Sequence, residues 1–232
     1  MTQRKKSYSV SCISSSPKGR RIAIGDIHGC VNTLQALIEK INLKKEDTLF
    51  LLGDLIDKGL YSKQVVNFVL QLKKENFNVL VVKGNHEESF LTAYNCGWSF
   101  FVNYLEQNNT DGFLGSDLES YLQFFAEMEY AYDLGDWLVS HTEFLVSERS
   151  LYRGMRGLFS KVDFDIDSKM ILKRRQITGH FVTSISEIRE SIASKSRVIC
   201  IDNGCVYVEE QLGHLCAFDL DSFELILQRN ID

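Results

Sequence analysis

Proline is almost absent from this chain. The single one, Pro17, leaves no proline-rich linker on which to divide the sequence. Long apolar runs are missing too, and none approaches the roughly 18 residues that a membrane-spanning helix requires. Positive charge is not in excess. A formal net charge of −5 argues against a surface built for nucleic acid or anionic lipid, so neither partner is expected. Paired cysteines are lacking: Cys12, Cys30, Cys96, Cys200, Cys205 and Cys216 form no Cys-x-x-Cys motif. A chain of 232 residues can bury a core without disulfide staples. The cysteines therefore read as free thiols in a reducing compartment, the cytoplasm.

The first 19 residues, MTQRKKSYSVSCISSSPKG, hold no acid and no apolar stretch of the kind a secretory signal needs. They read as a flexible, basic, Ser-rich tail, with a transit segment as the other reading. Residues 20–232 read as one domain.

Short strand-like runs recur in that domain: RRIAI (20–24), TLFLL (48–52), NVLVV (78–82), DWLVS (136–140), RQIT (175–178) and RVICI (197–201). Several are apolar on both faces, as in strands buried inside a layered fold. Between the early runs lie helical stripes. Leu34, Leu37, Ile38 and Ile41 form one, Val65, Val66, Val69 and Leu72 another, and Leu118, Tyr121, Leu122 and Phe125 a third. Alternating strand and helix predict an α/β fold with βαβ units in the first half. CVYVEE, HLCAFDL and FELILQ then predict a C-terminal antiparallel meander.

The strand ends share a pattern. AIGD, LLGD, VKGN and ITGH each set a glycine before a polar residue, and the fourth run ends VSH. Glycine permits a sharp turn and a close backbone approach. In α/β folds, sites gather at the carboxyl ends of strands. Asp26, Asp54, Asn85, His141 and His180 are therefore expected at one place, with His28 two residues after Asp26. Four of the five histidines, His28, His86, His141 and His180, lie at strand ends. Any one of these could be an ordinary hydrogen-bonded histidine, but the set points to a metal site. Carboxylates, imidazoles and an amide suit divalent transition metals better than structural zinc. There are more ligands than one ion needs. Two ions about 3.5–4 Å apart require a shared carboxylate, which suits Asp54, and phosphate ester hydrolysis is the natural chemistry.

GDIHG (25–29), GDLIDKG (53–59) and GNHE (84–87) resemble, in order and spacing, three signatures of the phosphoprotein phosphatase family of dinuclear metallophosphatases. The later SH and GH resemble its two downstream histidine ligands. The size is most similar to the small phage and bacterial members. The resemblance covers residues 20 to about 205 and implies a layered α-β-β-α sandwich. It implies that Asp26 and His28 hold one ion, that Asp54 bridges, and that Asn85, His141 and His180 hold the second. It implies a hydroxide between the ions as nucleophile, with His86 as general acid oriented by Asp57. Manganese is the expected metal, with iron, zinc, nickel and cobalt as alternatives. Glu87 is expected to support the turn or the helix that follows. GNHE and GHFV, without a second histidine, separate the chain from the nuclease branch.

Two departures bear on substrate binding. Lys58 stands where the family usually has Arg, so a point charge replaces a planar fork. SHTEF puts Glu143 near the cleft, where it could discourage acidic substrates. Asn85 and Lys58 are expected to touch substrate. YRGMRG offers Arg153 and Arg156 as a second phosphate contact; Arg153 is preferred, and a solvated basic loop is the other reading. The expected activity is a protein serine/threonine phosphatase that acts as a monomer on phosphoproteins, phosphopeptides and small phosphate esters, with phosphotyrosine as a further substrate. The alternatives are a hydrolase similar to symmetrical diadenosine tetraphosphatases and a metal-binding module with weakened turnover.

Overall fold

The structure is a computed structural model, and it describes residues 10–13, 18–147, 150–153 and 173–232. One five-stranded sheet takes the order β12 (Leu225–Arg229), β11 (His214–Asp219), β2 (Arg21–Ile24), β3 (Thr48–Leu51), β4 (Asn78–Val81). The second takes the order β1 (Val10–Cys12), β5 (Ala131–Asp133), β6 (Trp137–Ser140), β9 (Arg175–Thr178), β10 (Val198–Cys200). A separate antiparallel pair, β7 (Phe144–Ser147) and β8 (Ser150–Arg153), follows β6.

The sequence dictates this layering through its two-faced strands. Ile22, Ile24, Leu49, Leu51, Val79 and Val81 join a core with α1 (Val31–Lys40), α2 (Ser62–Lys74), α3 (Asn85–Asn95), α4 (Trp98–Gln107) and α5 (Leu118–Ala126). The alternate residues Ala23, Phe50 and Leu52 turn the other way. They meet Tyr132, Trp137, Val139, Ile177 and Ile199 of the second sheet, where α6 (Ile185–Ala193) adds Ile185 and Ile188. Strands β2, β3 and β4 run parallel, so their carboxyl ends open on one side. Parallel pairing of β6 with β9 and of β9 with β10 aligns three more ends. The α/β sandwich expected from sequence is present.

Two local expectations differ. Residues 205–210 are turn rather than strand, so the terminal antiparallel element is the β11–β12 hairpin joined to β2. Val10–Cys12, inside the segment read as a tail, forms β1, because β5 offers it an edge in parallel register. Ser11 Oγ adds a hydrogen bond of 2.9 Å to Glu129.

Candidate metal centre

Each aligned strand ends in a loop that turns back sharply. Of the eleven non-glycine residues with positive φ among those described, His28, Asp54, Asp57, Lys58 and His180 lie in these loops. Such strain persists only where surrounding structure over-determines it, and it gathers at functional sites. Glycine is required at two of the crossings. A Cβ on Gly84 would collide with Asp54 Oδ1, and one on Gly179 with Asp26 Oδ1.

Asp54 is the hub. Its Oδ2 lies 3.7 Å from His28 Nε2, 3.8 Å from His86 Nε2 and 3.4 Å from His141 Nε2. The His28 and His141 Nδ1 atoms are engaged elsewhere, by the Ile56 carbonyl at 2.9 Å and the Leu52 carbonyl at 2.7 Å. Those bonds place the proton on Nδ1 and turn the Nε2 lone pair toward Asp54, as outer partners of metal-bound histidines do. Asn85 Oδ1 lies 2.9 Å from His141 Nε2 and 3.0 Å from His180 Nδ1, so three ligand atoms meet at one point. Two donor groups result, His28–Asp54–His86 and Asp54–His141–His180, sharing Asp54.

The Asp26 carboxylate lies under Gly179 and accepts both of its bonds from His180 N, at 3.1 Å. It belongs to the same acidic cluster without closing either donor group. Lys58 Nζ sits 2.8 Å from His28 Nε2.

Burial sets the electrostatics. Asp26, Asp54, Asp57, Glu87 and Asp202 are all buried. Desolvation, with the charges of Asp202 and Asp54, pushes the Asp26 carboxyl well up. Desolvation raises Asp54 as well, with His86 opposing. Burial drives His28 well down, reinforced by the Lys58 charge. Burial opposes charge on His86, but its bond to Asp57 and the charges of Asp54 and Asp57 outweigh that and raise it. Among the described residues, five buried carboxylates lie beside one lysine, a site short of positive charge. Histidine nitrogens and a carboxylate oxygen 3.4–3.8 Å apart are too far for hydrogen bonds. They are spaced to share a cation at bonds of about 2.0–2.2 Å. The donor set therefore fits divalent metal ions.

Residues 19–180 match the calcineurin-like phosphoesterase family. The chain belongs to that family. Among curated relatives, a symmetrical bis(5'-nucleosyl)-tetraphosphatase of Buchnera aphidicola is 44% identical over 72 residues, which are 31% of this chain and 25% of that protein. Shewanella-like protein phosphatase 1 of Plasmodium berghei is 36% identical over 97 residues, 37% of this chain and 26% of that protein. The chain thus spans about a quarter of the length of these relatives. A solved putative diadenosine tetraphosphatase superposes with TM-score 0.64 at 24% identity, covering 95% of this chain and 97% of that one. A protein serine/threonine phosphatase of Saccharomyces cerevisiae superposes with TM-score 0.59 at 14% identity, covering 98% and 85%. At these identities the likeness speaks for the fold alone. The resemblance read from the motifs is thus matched at the level of the calcineurin-like phosphoesterase family.

Beyond the expected ligands and Asp57, three further side chains border this site. Glu87 does support the turn: Oε2 accepts from Gly84 N at 2.9 Å and Asp54 N at 3.0 Å, and Oε1 from Leu55 N at 2.7 Å. Burial and the Asp54 charge push its carboxyl up to about 7. Asp57 Oδ2 accepts from His86 Nδ1 at 2.6 Å and from the Tyr104 hydroxyl at 2.5 Å. Tyr104 lies on α4 with no local motif to announce it. Asp202, which follows β10, is pushed up to about 6 by burial, against a bond from Gly204 N. Its signal was present, since it ends a strand as Asp26 does. Glu143 lies 3.9 Å from Arg197, which partly neutralises the charge expected at the cleft. Arg153 ends β8 opposite Phe144; its side chain, and Arg156 entirely, lie outside the described residues.

Proposed function

We propose that this phosphoesterase hydrolyses alkyl phosphate monoesters of the phosphoserine and phosphothreonine kind. The observation that carries the reading is the Tyr104–Asp57–His86 chain of short hydrogen bonds ending beside Asp54. An alkoxide is strongly basic and departs poorly unless it is protonated as the ester bond breaks. A polyphosphate leaving group needs no such help. His86 Nδ1–H donates to Asp57, and the raised pKa favours a second proton on Nε2, which faces the hub. That proton is the one to be delivered to the departing oxygen. Tyr104 fixes the other side of the carboxylate, so the imidazole keeps its orientation.

Asp26, His28 and Asp54 would hold one divalent ion, and Asp54, Asn85, His141 and His180 the other. When bound, such a pair supplies Lewis acidity toward the phosphoryl oxygens and water acidic enough to act near neutral pH. Spacing alone would also admit His86 as a ligand; its tight bond to Asp57 supports the proton role instead. Lys58 supplies a cation for a phosphate oxygen. Arg153 is proposed as a second contact on sequence alone. Manganese is the proposed ion, and the proposed setting is a cytoplasmic monomer acting on phosphoproteins or phosphopeptides. No helix among the described residues is long and apolar enough to cross a membrane.

A second reading, symmetrical cleavage of dinucleoside tetraphosphates, is supported by the 44% identical stretch shared with the Buchnera aphidicola protein. One experiment separates the two. The manganese-loaded chain is assayed on a phosphoserine peptide, p-nitrophenyl phosphate and diadenosine tetraphosphate. The proposal expects the highest kcat/KM on the peptide; a preference for the dinucleotide replaces it with the second reading.

A further inference from the structure

We propose that Lys58 gates the first metal position: its ammonium bonds the His28 ligand atom, competes with a metal ion for it, and passes to the substrate phosphate when an ion takes that atom. The proposal rests on the two-ion reading above. Lys58 Nζ lies 2.8 Å from His28 Nε2. Because His28 Nδ1 is bonded to the Ile56 carbonyl at 2.9 Å, Nε2 is the lone-pair side and accepts from the ammonium. A metal ion needs the same lone pair, and the two cannot hold it together. The Lys58 charge also acts on Asp54 and Asp202, so the ammonium partly neutralises the carboxylates that would attract the ion.

The loop geometry keeps the lysine close. Gly59 N donates to the His28 carbonyl at 3.1 Å and to the Asp57 carbonyl at 2.8 Å. The Lys58 backbone is thereby tied to the His28 loop, in a left-handed conformation with φ of 65°. Only the four-carbon stem has to move, and the residue is exposed, so the head has room on the solvent side. A compact ammonium on a flexible stem suits this exchange better than a rigid guanidinium. The second position is built differently: there Asn85 Oδ1 meets two imidazoles. The two positions should therefore differ in affinity, with the first weakened by the lysine.

The test is calorimetric titration of Mn2+ into the metal-stripped full chain, wild type against Lys58→Met and Lys58→Gln, followed by inorganic phosphate titrated into each loaded protein. Lys45→Met, whose ammonium lies over Phe77 and bonds the Glu75 carbonyl, controls for loss of one positive charge. Wild type is expected to bind two Mn2+ of unequal affinity. Both Lys58 variants should tighten the weaker site about ten- to hundredfold, the range of one charge-assisted hydrogen bond, and weaken phosphate by at least tenfold. An unchanged weaker site in both variants, or equal tightening by Lys45→Met, overturns the gate while leaving the two-ion reading intact. A single Mn2+ equivalent in every protein overturns the two-ion reading and the gate with it.

Discussion

Replacing His86 by Asn separates proton delivery from metal binding. The substitution removes Nε2, 3.8 Å from Asp54 Oδ2, and the Nδ1 bond of 2.6 Å to Asp57. It keeps the main-chain N–H that donates to Asp54 Oδ1 at 3.1 Å, so the hub carboxylate stays in place. A positioned general acid contributes about 10²–10⁴-fold, equivalent to about 2.7–5.5 kcal/mol of barrier. That whole factor should be lost from kcat on a phosphoserine peptide, whose leaving alkoxide requires the proton. On p-nitrophenyl phosphate, whose phenolate leaves readily, the loss should shrink to about tenfold or less. Steady-state kinetics on both esters, with metal content measured on the same samples, decide the matter. Equal losses on the two esters would refute proton delivery. Loss of one metal equivalent would show His86 to be a ligand, as its place in the first donor group permits.

Asp54→Asn should remove most bound metal and abolish turnover, since this carboxylate belongs to both donor groups; metal analysis after gel filtration reads the loss directly. Tyr104→Phe should lower kcat by about three- to thirtyfold with little change in KM, because a charge-assisted bond to Asp57 disappears while the metal positions are untouched; an unchanged kcat removes Tyr104 from the relay. Far from the site, Asp47 accepts from the main-chain N–H groups of Arg20 and Lys44 and from the Arg20 guanidinium. Asp47→Asn should cost about 1–2 kcal/mol by urea denaturation. Burial pushes the Asp47 carboxyl up, but the Arg20 and Lys44 bonds outweigh it, and its pKa falls below 3.8. Its contribution is thus complete above that value and is lost as pH drops through the lower folded value, so the stability difference between wild type and variant should shrink on acidification.

Strand ends were the legible part of the sequence, because glycine followed by a ligand-type residue marks a turn that only a crowded site requires. Asp26, Asp54, Asn85 and His180 could be assembled that way, and His141 by its place at a strand end without the glycine. Their mutual placement follows from parallel pairing of two-faced strands, which periodicity exposes. Tyr104 was not legible: it is 18 residues past His86, on a helix whose position depends on aromatic packing of Phe90 against Phe101 at 5.0 Å. The partnership of Glu143 with Arg197 joins segments far apart in the chain, and no local pattern signals it. Residues 205–210 have strand-like composition, yet Tyr207 N bonds the Gly204 carbonyl at 2.9 Å and closes a turn instead. Local turn hydrogen bonding overrode β propensity there.

Glu87 touches no expected donor atom, yet its two oxygens gather the amides of Gly84, Asp54 and Leu55 from two different loops. Those loops are consequently held as one body before any ion arrives. Ordering entropy is spent when the chain folds rather than when an ion is captured. Capture should therefore resemble docking into a finished socket, with a small heat-capacity change and no gain of secondary structure. Heat resistance should rise with ion concentration only by mass action on the folded state. It also follows that a substitution at Glu87 can imitate a ligand knockout while every donor atom remains in the sequence.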